Sequence, residues 1–219
     1  MIISRHVRDE DGRPLPYWVW RFSEPRTVAS TASSGGGVGD RSWLINAQVA
    51  HDYARHDQEQ HATELASAAG LDGAGTTMFT AADVNTIRHA DDNGVRVWAT
   101  VGLTHPTWAA APDDPAPDDP APDELAPERP GTINIVAVLP VALAPAALLN
   151  ALCTATEAKS QALIERGIPA TGTPSDAVTV VCPAGGPTAP FCGPRSPWGA
   201  RLARAVYATV AVITGAGRQ

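Results

Sequence analysis

The chain has 219 residues, of which 44% are hydrophobic and 18% are charged, so it can bury a sizeable core and is not a disordered tail. Its formal net charge of −7 argues against a nucleic-acid partner, because binding to a phosphate backbone requires a basic face. Residues 110–130 hold seven acidic residues and one arginine, so the rest of the chain is nearly neutral.

Strand-like runs dominate the first half of the chain. Each mixes β-branched or aromatic residues and is flanked by Gly, Pro, Asp or Ser. They cover residues 17–22, 26–31, 42–49, 76–79 and 95–103. A helix is predicted over 58–69, with Asp57 as its N-cap and Gly70 after its end. A second, shorter helix is predicted over 83–89, with Thr80 as its candidate cap.

A low-complexity segment interrupts this pattern. Residues 111–128 read APDDP, APDDP, APDEL and APE, and proline at this density together with like charges favours extended, solvated chain. We therefore predict a single domain, 1–219, in which 110–130 is an acidic Pro/Asp-rich surface insertion. The alternative is a linker between two domains, each of which would have to close its own core.

The second half again alternates strands and helices. A strand over 132–139 precedes a long helix with Pro145 in its first turn and Gly167 just past its end. An apolar strand over 177–182 follows, and a Ser-Pro pair at 196–197 opens the last helix. This order predicts an α/β or α+β fold, a single layered domain with a mixed β-sheet packed against helices, whose strand order the sequence does not give.

The sequence carries no sign of export or membrane insertion. The first twelve residues are charged and lack the apolar core of a signal peptide. The longest apolar stretch, 133–149, is interrupted by Asn134, Pro140 and Pro145, which favours a strand and a helix over a membrane span. The three cysteines form no Cys-x-x-Cys pair. A cytoplasmic protein with no membrane partner is therefore expected.

Two possible motifs are not supported by their spacing. The glycine run 35–39 is followed by Asp40. Both a phosphate-binding loop and a dinucleotide fingerprint that start at Gly35 would need a glycine at that position. His51, His56 and His61 are spaced by five, so on a helix each is turned about 140° from the last and they share no face. We therefore predict no metal site, although the spacing does not indicate whether a divalent metal is required.

Several polar residues stand out by position. Lys159 lies near the middle of the apolar face of the long helix, where an ammonium needs a partner or a polar cavity. The alternative is a long stem that covers the core with its head in water. His105 follows one predicted strand, Asn134 lies inside another, and a Thr/Ser/Asp cluster over 171–176 precedes a third. Strand ends often form sites, but a hydrogen-bonded turn and an ordinary loop histidine are the alternatives.

Seven strings resemble the adenosylcobinamide amidohydrolase family. They are WLINAQVAHDYAR (43–55), MFTAADV (78–84), VWATVGLTHPTWA (97–109), GTINIV (131–136), ATEAKSQAL (155–163), TGTPSDAV (171–178) and GPRSPWGARLARAV (193–206). The resemblance runs in order from about residue 27 to about residue 210, and the acidic repeat looks like an insertion at a variable loop.

The resemblance implies an amide hydrolase of corrinoid salvage. Such enzymes cleave the amide that joins the aminopropanol arm to the corrin ring of adenosylcobinamide, giving adenosylcobyric acid for coenzyme B12 synthesis. The implied partner is a small-molecule corrinoid substrate, and no cofactor is required. Two alternatives stay open: a non-catalytic corrinoid-binding or carrier protein, and a general amidase that acts on amides lacking a corrin.

The matching strings also contain the candidate site residues. The catalytic candidates are His105, Lys159, Asp176 and Glu157. The substrate-binding candidates are Asn46, Asp52, Asn134, Thr173, Ser175 and Trp108. We expect attack by an activated water or a Thr/Ser hydroxyl, with His105 or Asp176 as base. Lys159 and Asn134 would stabilise the oxyanion or orient the amide. Four tryptophans could line a pocket for the flat corrin, with core packing as the alternative: Trp43, Trp98, Trp108 and Trp198.

Overall fold

The computed structural model describes residues 1–111 and 131–212. Within them the strands are β1 (Ile2–Glu10), β2 (Arg13–Ser30), β3 (Gly37–Gln48), β4 (Gly75–Thr80), β5 (Arg88–Asp92), β6 (Val95–Val101), β7 (Ile133–Val138), β8 (Ala142–Leu143), β9 (Ala177–Pro183) and β10 (Thr188–Ala189). The α-helices are α1 (Gln58–Ala68), α2 (Pro145–Glu165) and α3 (Pro197–Val210). Apart from its first two residues, the predicted insertion 110–130 lies outside the described residues.

One mixed sheet organises the molecule. Its strand order is β4-β3-β2-β9-β7-β6-β5, and β1 pairs with β2. The β3–β4 and β7–β9 pairs are parallel, whereas the other pairs in this sheet are antiparallel. Strands from both sides of the predicted insertion share this sheet, since β6 and β7 flank it and pair with each other. The predicted α/β class with a mixed sheet and packed helices is confirmed.

The long strand β2 lets the sheet curl. Up to Arg21 it pairs with β1 and β3, and from Arg26 it pairs with β3 and β9, with a register shift between the two parts. The curl brings β4 into contact with β7, although three strands separate them in the sheet order. The sheet therefore has a concave face that encloses side chains from distant strands.

Three apolar clusters fill the two faces of the sheet. The cluster beneath α2 and α3 includes Val97, Ile135, Leu163 and Val180. The cluster beneath α1 includes Tyr17, Ile45 and Leu65. The cluster on the concave face includes Trp20, Leu44, Met78 and Val136. Strand residues alternate between these clusters because successive side chains of a strand point to opposite faces.

Most predicted elements are confirmed, and the last helix has the predicted start. The Ser196 hydroxyl accepts a hydrogen bond from the Gly199 amide at 3.1 Å. The helix α1 begins directly after Asp57, the predicted N-cap residue, but the Asp57 carboxylate makes no cap bond and instead receives two hydrogen bonds from the Arg55 guanidinium.

Several secondary-structure predictions need correction. The runs 17–22 and 26–31 belong to the single strand β2. The short helix predicted over 83–89 is one turn of 3-10 helix, Val84–Thr86, followed by β5, and its cap is Asp83 instead of Thr80. The charged strand β1 was not predicted at all.

In the part of the chain that the structure describes, no helix is both long and apolar enough to cross a membrane.

Candidate active site

A buried ion pair joins α2 to the turn before β9. Lys159 Nζ donates to Asp176 Oδ2, and the two side chains are only 7% and 10% exposed. The buried neighbours of Lys159 on α2 are small, namely Ala155, Ala158 and Ala162, which leave room for its stem. Pairing offsets part of the cost of removing an ammonium from water. Lys159 is therefore paired within the protein, and its head does not extend into water.

Asp176 receives hydrogen bonds from three segments of the chain. Its Oδ1 accepts from the Thr173 hydroxyl at 2.5 Å and from the Ile133 amide at 2.9 Å. Its Oδ2 accepts from the Thr173 amide at 3.1 Å and from Lys159. A carboxylate has about four acceptor positions, so these bonds fix its orientation. Thr, Ser and Asp form such local turns readily, which explains why this cluster folds as it does.

Gly172 allows the turn to lie directly against the ion pair. A Cβ at this position would overlap Asp176 Oδ2 and Lys159 Nζ, so glycine is required by close approach. The preceding carbonyl, that of Thr171, accepts from the Ser160 hydroxyl of α2 at 2.8 Å. The turn is therefore attached to α2 at two points.

The loop after β6 lies beside this turn. The Thr107 amide donates to the Gly172 carbonyl at 2.8 Å, and the Thr171 amide donates to the Thr107 carbonyl at 3.1 Å. This loop holds His105, which is half-buried, and Trp108, which is 46% exposed. Within the described residues, no hydrogen bond joins the His105 ring to the ion pair.

A cleft of about 440 Å³ opens beside Asp176. Its walls come from the ends of β2, β3 and β4 and from the segments before β7 and β9. Among the described residues that line it, Asp176 is the single carboxylate. Ser175 and Thr132 also line it, and their hydroxyl oxygens are 2.8 Å apart. One hydroxyl of such a pair donates to the other, which leaves one proton for another acceptor.

The two predicted asparagines meet behind the cleft. Asn134 Nδ2 donates to Asn46 Oδ1 at 2.9 Å and to the Phe79 carbonyl at 3.1 Å. Asn46 Nδ2 donates to the Thr100 hydroxyl at 3.2 Å. Both asparagines are almost fully buried, and Phe79 lines the cleft. The network therefore links four strands behind the cleft wall.

A tyrosine–histidine pair on the cleft wall was missed from the sequence. The Tyr53 hydroxyl is 2.9 Å from His61 Nδ1, and both rings stack on Phe79. Burial lowers the pKa of His61 and raises the pKa of Tyr53. His61 lies on the buried face of α1 beside Ala62, and that helical position was the available signal.

Other predicted residues lie apart from this cluster. Glu157 is exposed on α2, two residues from Lys159 and therefore on a different face of the helix. Asp52 is exposed and pairs with Arg13 at 3.0 Å, and that hydrogen bond lowers the pKa of the Asp52 carboxyl. Neither carboxylate lines the cleft.

Three of the four candidate tryptophans lie in or against the apolar core and not in the cleft. Trp43, Trp98 and Trp198 pack against the three apolar clusters, and none of them lines the cleft. Across residues 1–111 and 131–212, no group of three or more His, Cys, Asp or Glu side chains is arranged to hold a metal ion.

Comparison with known proteins agrees with the resemblance in the sequence. The family model described as adenosylcobinamide amidohydrolase matches residues 3–218. The chain belongs to the adenosylcobinamide amidohydrolase family. It is therefore an amide hydrolase, and both the predicted family and the predicted enzyme class are confirmed.

Two relatives carry the same family name. The chain is 38% identical over 176 residues to the adenosylcobinamide amidohydrolase of Halobacterium salinarum, covering 78% of this chain and 72% of the relative. It is 27% identical over 187 residues to the adenosylcobinamide amidohydrolase of Methanosarcina mazei, covering 81% of this chain and 85% of the relative.

Proposed function

We propose that the chain hydrolyses the amide between the aminopropanol arm and the corrin ring of adenosylcobinamide, giving adenosylcobyric acid and free aminopropanol. This reaction would return salvaged corrinoid to coenzyme B12 synthesis. The observation that carries the proposal is the Thr173–Asp176–Lys159 set beside a cleft, in a chain of this family. A nucleophile, a base and a third group that orients the base form a recurrent arrangement in acyl transfer.

Thr173 is the proposed nucleophile, and Asp176 is its base. The Thr173 hydroxyl already donates to Asp176, and Thr173 directly precedes cleft-lining residues. As the Thr173 oxygen bonds to the amide carbon, its proton passes to Asp176, and the C–N bond then breaks with protonation of the amine. Water hydrolyses the resulting ester, which releases the acid and restores the hydroxyl. Lys159 is the positioning residue that holds Asp176.

The hydroxyl pair of Ser175 and Thr132 is the proposed donor to the oxyanion. Both hydroxyls line the cleft, and their mutual hydrogen bond leaves one proton to donate to the substrate carbonyl oxygen. Donors fixed in advance stabilise a developing oxyanion better than mobile water does. Asn46 and Asn134, bonded to each other behind the wall, would support this geometry without contacting the substrate.

The size of the cleft suits the arm of the substrate better than the ring. Its volume of about 440 Å³ lies in the lower half of the range of about 300–1,000 Å³ found for small-molecule sites. The aminopropanol arm would enter the cleft while the corrin stays at the mouth. The exposed indole of Trp108, in the loop beside the turn, offers a flat surface to the ring.

The test incubates purified, chelator-treated protein with adenosylcobinamide and identifies the corrinoid products by mass spectrometry. We expect adenosylcobyric acid and aminopropanol without added metal. Thr173→Val should lower turnover by more than about a thousandfold, as expected for a lost nucleophile, while Thr173→Ser keeps part of the activity. Spectral titration with the substrate and thermal unfolding check that the valine variant folds and binds.

Each alternative predicts a different result. Normal turnover by Thr173→Val would mean that Thr173 is not the nucleophile and that water or another hydroxyl attacks. Unchanged substrate, even after divalent metal is restored, together with a spectral binding signal would indicate a carrier. Cleavage of simple amides that lack a corrin would indicate a general amidase.

A further inference from the structure

The proposed reaction leaves one requirement unassigned, because the departing amine needs a proton. Among the described residues that line the cleft, only Asp176 and Tyr53 have titratable side chains. Asp176 already receives four hydrogen bonds and serves the attacking hydroxyl. Tyr53 comes from the segment after β3, whereas Asp176 comes from the turn before β9. The cleft thus offers a second proton-bearing group from a different element.

The Tyr53 hydroxyl is held in one orientation. It is 2.9 Å from Nδ1 of His61, whose side chain is almost fully buried on α1. The centroids of the tyrosine and histidine rings lie 5.7 Å and 5.0 Å from that of Phe79, which stacks on both. When the imidazole carries its proton on Nδ1, it donates to the phenol oxygen, and the phenol proton is free to point into the cleft.

The charges around this pair suit a proton donor. Burial lowers the pKa of His61, and the nearby Arg8 and Arg55 lower it further, while Glu10 and Glu64 act in the opposite direction. The imidazole is therefore neutral near pH 7. Burial raises the pKa of Tyr53, so the phenol keeps its proton until the amine takes it.

We propose that Tyr53 is the general acid that protonates the departing aminopropanol nitrogen, and that His61 is the positioning residue that holds its phenol. The O–H bond of Tyr53 breaks as an N–H bond forms on the amine and the C–N bond breaks. The phenolate accepts a hydrogen bond from His61 Nδ1 and regains a proton from the water that hydrolyses the ester. This inference rests on the proposed function.

The test compares two leaving groups. The substrates are adenosylcobinamide and the para-nitroanilide of adenosylcobyric acid, whose aniline leaves with much less need for protonation. Tyr53→Phe should lower kcat on adenosylcobinamide by about 10²–10⁴-fold, the usual range for a lost general acid, with substrate affinity nearly unchanged. On the anilide its kcat should fall less than about tenfold. His61→Asn should show the same dependence on the leaving group with a smaller loss.

The matched control is Tyr207→Phe, which removes the hydrogen bond from a half-buried tyrosine on α3 to Glu165 and should change neither rate. Equal losses on both substrates by Tyr53→Phe would overturn the inference, because a structural role does not depend on the leaving group. Normal cleavage of adenosylcobinamide by Tyr53→Phe would overturn the inference alone. Failure of the unmodified protein to cleave adenosylcobinamide would overturn the proposed function and this inference together.

Discussion

At the scale of single residues, the Lys159–Asp176 pair connects stability to the site. Replacing Lys159 by Met would leave the Asp176 carboxylate buried without its cation. We expect the free energy of unfolding to fall by about 3–5 kcal/mol, the usual cost of removing one partner of a buried pair. Urea unfolding followed by circular dichroism measures this change.

The more exposed pair of Arg204 and Asp92 provides the control for this prediction. The Arg204 side chain is 60% exposed and the Asp92 side chain 18%, so water reaches the Asp92 carboxylate more easily than the Asp176 carboxylate when the cation is lost, and Arg204→Met should cost less. A loss in Lys159→Met no larger than that in Arg204→Met would contradict the view that the buried pair stabilises the turn before β9.

The ion-paired residues of this candidate site could be named from the sequence, whereas the tyrosine–histidine contact could not. An ammonium in an apolar helix stripe requires a partner, and polar clusters at strand ends often form sites, so Lys159 and Asp176 could each be named, but their pairing with each other was not predicted. The contact of Tyr53 with His61 joins a loop to a helix, and no spacing rule gives the angle between them. Glu157 belongs to the same string as Lys159, but a separation of two residues on a helix places it on a different face, where its side chain is exposed.

At the scale of elements, the start of α3 makes a measurable contribution. The Ser196 hydroxyl caps the helix, so Ser196→Ala should cost about 0.5–2 kcal/mol and lower the melting temperature by about 2–4 °C per kcal/mol. Asp57→Ala at the start of α1 is the control, because Asp57 makes no cap bond and should change the melting temperature less. Thermal unfolding of both variants measures the two changes in melting temperature. A larger loss for Asp57→Ala would contradict the assignment of these caps.

Two of the unpredicted strands, β1 and β5, had a signal in their turns. Asp11-Gly12 joins β1 to β2, and Asn93-Gly94 joins β5 to β6, all four with positive φ. Such dipeptides are the strongest short-range sign of a hairpin. The strands β1 and β5 are rich in charged residues, and their side chains are exposed or half-buried. Their composition alone therefore did not predict a β-strand.

At the scale of the whole molecule, the curled sheet creates the site by joining the two halves of the chain. Asn46 comes from the first half and Asn134 from the second, and they bond to each other although β2 and β9 separate their strands in the sheet order. Strand order depends on pairings between distant segments, which local patterns do not contain. The fold class could therefore be predicted, whereas this convergence could not.

The same topology predicts that the acidic segment can be removed. Pairing of β6 with β7, and of β7 with β9, involves only residues outside 112–130. We expect a variant in which a short Gly/Ser linker replaces these 19 residues to keep its turnover of adenosylcobinamide. Its free energy of unfolding should change by less than about 1 kcal/mol, because loop-closure entropy varies slowly with length.

A second variant, in which an uncharged Gly/Ser segment of the same length replaces 112–130, separates the effect of length from the effect of charge. Urea unfolding and product analysis of both variants test the prediction. Loss of turnover in both would mean that the acidic segment contributes to the site. A large fall in stability of the short variant alone would mean that β6 and β7 need a long connection to pair in the sheet that links the two halves.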